Sequence, residues 1–152
     1  MRIRWCDGTG ANSGRMDETV PERLLKDPLW ASAYYRFGMY LYDLAWLDSV
    51  ILQRDFRGRE LVSQLIRSTG GLCANVEEAY GRGVGTADYI RILRIALGEA
   101  REAQGWYLRS RHILPVDLVE RRLEIITQII SLLVKTISSH RKNLVKSQLP
   151  NS

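Results

Sequence analysis

With 152 residues, 45% of them hydrophobic, the chain is long enough for one domain that buries about 70% of the surface its unfolded form exposes. Its two cysteines, Cys6 and Cys73, stand far apart, one in a polar leader and one in an apolar helix face, which argues against a disulfide framework and fits a reducing, cytoplasmic setting; Cys73 reads as a small core residue. The formal net charge of +5 and a pI near 9.5 permit a polyanionic partner without requiring one.

Residues 1–26 are polar, glycine-containing and without period, and hold no continuous apolar run of signal-peptide type, so they read as a flexible leader. Arg2 and Arg4 could touch nucleic acid there, although a loosely ordered terminus is the simpler reading. Residues 27–146 carry the helical pattern, and residues 147–152 read as a tail.

The first helix is predicted over Pro28 to Gln53, with two apolar rows at helical spacing. One holds Trp30, Tyr34, Phe37, Leu41, Leu44 and Ile51; the other holds Tyr35, Met39, Tyr42, Trp46 and Val50. A bundle helix in a monomer needs one such stripe, so Trp30, Tyr35, Met39, Tyr42 and Trp46 are candidates for a contact with a second copy. Arg36, Asp43 and Asp48 interrupt the segment too often for a membrane span.

The second helix is predicted from Arg59 to Tyr80. Its middle, Ser68-Thr69-Gly70-Gly71, is poor helix material, each glycine costing about 1 kcal/mol relative to alanine. Close approach of a neighbour or a local kink would each account for it. The corner Gly81-Arg82-Gly83-Val84-Gly85 supplies residues tolerant of positive φ, and Thr86 is placed to cap the next helix with Asp88 in its first turn. This corner is not a phosphate loop, because no strand precedes it and no Gly-Lys-Ser/Thr ends it.

The third helix, Ala87 to Arg111, stripes Tyr89, Leu93, Ala96, Ala100, Ala103 and Tyr107 on one side, with Arg91, Arg94, Arg101 and Arg109 within one outward arc. Pro115 turns the chain into the fourth, Val116 to Lys146. There Val119, Leu123, Ile126, Ile130, Leu133 and Ile137 form a stripe that Leu118, Ile125, Ile129 and Leu132 broaden; Lys135, Lys142 and Lys146 face outward. The fold class is all-α, an antiparallel up-down-up-down four-helix bundle with corners near residues 55–58, 81–85 and 113–115.

Charge divides unevenly along the chain. Residues 1–81 hold ten Lys/Arg and eleven Asp/Glu, a net of −1, whereas residues 82–152 hold twelve and six, a net of +6. Acids at the start and bases at the end of the fourth helix match its macrodipole, and solvated arginines are ordinary on exposed helix faces. The competing reading is a phosphate-contacting surface of Arg91, Arg94, Arg101, Arg109, Lys135 and Lys142.

Catalytic signatures are missing. Neither His112 nor His140 follows a glutamate by three residues as a di-iron bundle requires, and both read as surface residues at helix ends; no HExxH, CxxC or GxSxG occurs. Asn75, Glu78 and Arg82 share a face at spacings of three and four and read as a polar latch, Glu78 to Arg82 having the favourable order for an ion pair. The expectation is therefore no catalytic residue, no metal and no cofactor.

The run from Leu61 to Gly83 followed by Thr86 to Leu114 resembles the bacterial four-helix-bundle family first described from reading frames in intervening sequences of large-subunit ribosomal RNA genes, the 23S rRNA intervening-sequence protein family. The resemblance spans residues 27–142, and the positions of the family pattern are filled here by Gln64, Arg67, Ser68, Ala74, Asn75, Val76, Glu78, Ala79, Arg82, Asp88, Tyr89, Arg91, Ala96, Gly98, Glu102 and Trp106. Glu77, Ala79 and Glu99 depart from it, standing where a small residue, glycine and serine are usual. The resemblance implies a ring, commonly a pentamer, without established enzymatic activity. A more distant similarity is to the accessory variability determinant of diversity-generating retroelements, which binds a reverse transcriptase and nucleic acid. The expected function is a non-catalytic homo-oligomeric scaffold that binds RNA or an RNA-handling protein such as a reverse transcriptase. The alternative is a structural or protein-interaction oligomer with no nucleic-acid affinity.

Overall fold

The computed structural model describes residues 20–148, in which five α-helices and no strand occur. They are α1 (Glu22–Leu25), α2 (Ala33–Leu52), α3 (Gly58–Gly81), α4 (Ala87–Arg109) and α5 (Val116–Gln148). Arg2, Arg4 and Cys6 of the leader, and the tail beyond residue 148, lie outside the described residues.

The first predicted helix does not begin at Pro28. Pro28–Ala31 form a turn of 3-10 helix capped by Asp27, whose carboxylate accepts from the Leu29 amide, and Ser32 is extended with ψ at 126°. Proline opens this turn without losing a needed donor. The break is held by Arg36, whose Nη1 donates to the carbonyls of Trp30 and Ala31 at 2.7 and 2.8 Å. Before α5, α4 ends at Arg109 rather than Arg111, and Ser110–His112 tighten into a 3-10 turn, a common way to satisfy the last carbonyls of a helix.

The corner between α3 and α4 follows its sequence closely. Gly83 and Gly85 take φ of +94° and +87°, the left-handed region where a Cβ is penalised. Thr86 Oγ1 accepts from the Tyr89 amide at 3.1 Å, and Asp88 stands in the positive first turn of α4.

Each long helix packs on two others: α3 lies against α2 and α4, and α5 lies against α4 and α2. The buried stripe of α4 is the predicted one, Tyr89, Leu93, Ala96, Ala100, Ala103 and Tyr107, each no more than 1% exposed. Leu41, Leu72, Val76, Ile126 and Leu133 of the other long helices join the same core at 0% exposure.

The glycine pair of α3 has a packing explanation. The helix is continuous through it, with Thr69 Oγ1 donating back to the Leu65 carbonyl at 2.6 Å. A Cβ on Gly70 would meet the Tyr42 ring at 3.3 Å, and one on Gly71 would stand 2.8 Å from the Glu99 carboxyl carbon. The glycines are notches that admit side chains from α2 and α4. Glu99 is the group seated in the second.

Two polar knots mark the ends of the helices. Near one end Tyr34 of α2 shares hydrogen bonds with the hydroxyls of Tyr80 and Tyr89, at 3.3 and 3.2 Å, and His140 of α5 meets Tyr89 edge-on with ring centroids 5.1 Å apart. His140 is thus half-buried inside α5 and not a surface residue at a helix end, while His112 is exposed. Near the other end, Asp48 of α2 binds Tyr107 of α4 and Arg122 of α5.

Candidate functional site

The six cations predicted to form a nucleic-acid surface, Arg91, Arg94, Arg101, Arg109, Lys135 and Lys142, are all exposed. They do not form one equivalent set. Arg91 is paired within its own helix, its Nη2 being 2.7 Å from Asp88 Oδ1. Arg109 lies over the Trp106 ring at 4.6 Å, a cation–π arrangement that fixes the guanidinium against α4. Arg94, Arg101, Lys135 and Lys142 make no ion pair with a described residue.

Arg94 and Lys142 converge, and two bases that sequence reasoning left out of the site join them. Between α4 and α5 runs a groove of ≈ 660 Å³ whose charged lining is Arg94, Arg141, Lys142 and Lys146. Its apolar lining is Leu97 of α4 with Val134, Ile137 and Val145 of α5. Positions 134, 138, 141 and 145 form one stripe of α5, each step three or four residues. That spacing was the available signal for Arg141; its place beside Arg94 follows from the pairing of α5 with α4. Arg101, Arg109 and Lys135 lie outside the groove lining.

The predicted self-contact residues also separate. Tyr35 is 4% exposed; its hydroxyl donates to Glu77 Oε1 at 2.9 Å, and Trp30 packs edge-on against its ring at 5.0 Å. Burial and then the neighbouring Glu77 raise its pKa, so Tyr35 belongs to the interior of the chain. Trp30, Met39 and Tyr42 are half-buried. Trp46 is 62% exposed and is joined by Leu47 at 62% and Val50 at 54%. Asp43 lies on the same outer face one turn before Trp46 and Leu47, and burial among apolar neighbours raises its pKa.

The expected latch is formed in part. Arg82 Nη2 donates to Glu78 Oε1 at 3.0 Å, and Arg82 Nη1 reaches Asp88 across the corner at 3.7 Å. Asn75 instead donates to the Gly71 carbonyl at 2.8 Å, so it supports its own helix and not the ion pair.

The strongest buried polar site was not anticipated. Asp48, 2% exposed, accepts from Arg122 Nε at 2.9 Å and Nη2 at 3.1 Å, and from the Tyr107 hydroxyl at 2.9 Å. Burial, then the adjacent carboxylate, drives the Tyr107 phenol well above its ordinary pKa. Both carboxylate oxygens accept from fixed donors, an arrangement that joins three helices. Cys73 is likewise a packing residue: burial, then Glu77 and Asp43, pushes its thiol up to about 12. Among the described residues no three of His, Cys, Asp and Glu converge as a metal site, and no helix is long and apolar enough to cross a membrane.

The fold is similar to a solved structure from Bacteroides thetaiotaomicron, described as a protein with unknown function from the S23 ribosomal protein family. The TM-score is 0.62 at 25% sequence identity, over 69% of this chain and 98% of that one. No protein-family model and no curated protein matches the chain.

Proposed function

We propose that this protein is a non-catalytic, cytoplasmic, homo-oligomeric scaffold of the intervening-sequence protein type, built as an antiparallel up-down-up-down four-helix bundle, that binds RNA through the basic surface of α4 and α5. The alternation of helix direction is supported by the two polar knots: the start of α2 meets the end of α3 and the start of α4, while the end of α2 meets the end of α4 and the start of α5. Self-association is supported by the uncovered apolar face of α2, where Trp46 and Leu47 are each 62% exposed. Five is the count that the family resemblance implies.

The observation that carries the RNA reading is the run of exposed bases on the half of the chain where Lys and Arg outnumber Asp and Glu twelve to six. Such a surface binds phosphates without reading sequence, and its repetition around an oligomer adds the fields of the copies. An RNA-handling protein such as a reverse transcriptase is the partner that the distant retroelement resemblance implies. The second reading, a scaffold without nucleic-acid affinity, draws on a specific observation: Arg91 is occupied by Asp88 and Arg109 by Trp106.

Anisotropy titration of a short fluorescein-labelled single-stranded RNA across a salt series separates the two. RNA binding predicts a straight fall of log affinity with log salt. Replacing Arg91, Arg101, Arg109 and Lys135 with glutamine should flatten the slope by about 2–3 units, at about 0.7 per phosphate released. An unchanged slope, or no binding by the parent protein at low salt, overturns the RNA reading.

A further inference from the structure

Two uncovered surfaces of this chain are complementary in chemistry and length. The groove between α4 and α5 has an aliphatic lining of Leu97, Val134, Ile137 and Val145, bordered by Arg94, Arg141, Lys142 and Lys146, with no acid among the described residues that line it. Among the described residues its lining holds no aromatic ring on which a base could stack, so its floor suits an apolar helix face better than an unpaired nucleotide. A second α5 is a poor occupant, since its own bases would meet those of the first.

The outer face of α2 has the opposite character. Met39, Tyr42, Trp46, Leu47 and Val50 present apolar surface, and between Arg36 and Arg54 the helix contains no base. Its exposed charge in that span is Asp43, which makes no ion pair with a described residue. At about 1.5 Å per residue, Met39 to Val50 and Val134 to Lys146 each extend roughly 17–18 Å.

We infer that the outer face of α2 of one copy seats in the α4/α5 groove of the next, with Trp46 and Leu47 on the aliphatic floor and Asp43 at the basic rim. This rests on the self-association proposed above and specifies its geometry. The two faces differ, so the contact is heterologous, and repeating it gives a closed ring where the rotation between copies closes. Trp46 is the expected anchor, because a large aromatic side chain entering a desolvated groove dominates such contacts. Asp43, exposed and without an ion-pair partner among the described residues, is a carboxylate that gains a cationic partner on docking. Arg101 and Lys135 remain outside the seam and available to phosphate.

Complementation by light scattering tests the inference. Trp46→Lys/Leu47→Lys spoils the helix face, and Val134→Lys/Val145→Lys spoils the groove; all four positions are between 45% and 62% exposed, so the folded chain loses little. Each variant alone should have the mass of one 17.4 kDa chain. An equimolar mixture should form a dimer of one copy of each and nothing larger, since only one matching pair of faces survives. A groove variant that keeps the parent's mass, or a mixture that stays at one-chain mass, overturns the pairing while leaving self-association in place. A parent protein of one-chain mass overturns self-association itself. Should circular dichroism show lost helicity in either variant, Asp43→Arg and Lys142→Glu read the same contact by charge: each alone should weaken assembly, and combining them in one chain should restore it. Failure of that restoration counts against the pairing.

Discussion

Replacing Arg122 with methionine should be among the most damaging single changes that leave every helix propensity nearly intact. Asp48 is 2% exposed and holds three donated hydrogen bonds, two of them from Arg122. Removing the guanidinium leaves a carboxylate buried against one phenol, a state that costs about 3–5 kcal/mol when a buried pair is broken from one side. For a chain of this size about 2–4 °C is lost per kcal/mol, so the melting temperature should fall by roughly 6–20 °C. Thermal melts followed by circular dichroism at neutral pH measure it. The control is the triple replacement Asp48→Leu, Arg122→Met and Tyr107→Phe, which removes the charge together with its partners and should recover most of the loss. An Arg122→Met protein melting within about 2 °C of the parent would refute the reasoning, because that is below the shift expected from 1 kcal/mol.

Glu99→Gln should stabilise the chain at neutral pH. Burial in the Gly71 notch, then Glu102, raises the Glu99 pKa against the opposing pull of Arg67; a raised carboxyl pKa gives stability present at low pH and lost as pH rises through the folded value. The gain over the parent should therefore vanish below about pH 4, under the ordinary glutamate value, and a pH-independent difference would contradict this origin. Glycine positions should split by their surroundings. Gly98→Ala, where a Cβ meets nothing within 4 Å, should gain about 1 kcal/mol by urea titration. Gly58→Ala drives a Cβ into the Leu52 carbonyl and should lose about 1–3 kcal/mol, the usual cost of forced backbone shifts; equal effects at both sites would defeat the distinction. Tyr34→Phe removes the hydroxyl shared with Tyr80 and Tyr89 and should cost about 1 kcal/mol in the same assay, with no loss counting against the phenol knot as a stabilising element.

How legible the fold was depends on how local its causes are. The buried stripe of α4 and the capped corner at Gly83, Gly85 and Thr86 follow from side-chain period and backbone tolerance, both of which a short window of sequence contains. The break at Ser32 was less accessible, since the aromatic spacing runs straight across it; Asp27 before Pro28 was the local sign of a capped start. Gly70 and Gly71 announced a close approach or a kink. Their occupants, Tyr42 and Glu99, come from two other helices and could not be chosen from α3 alone.

Charged residues on apolar faces were the signal most easily misread. Asp48 looked like an interruption of a greasy helix, and it does exclude a membrane span. Its companion is Arg122, set among Leu118, Val119, Leu123 and Ile126 on a helix 74 positions away. Opposite charges inside two apolar stripes of one small domain predict a buried pair, because neither side chain can enter the core alone. The same logic applied outside the core separates Asp43 from Asp48. Asp48 finds its cation within the chain, whereas Asp43 shares its exposed face with Trp46 and Leu47 and has no ion-pair partner among the described residues. A carboxylate left in that setting, on a chain whose groove-lining bases also make no ion pair with a described residue, is what the pairing of faces inferred above requires.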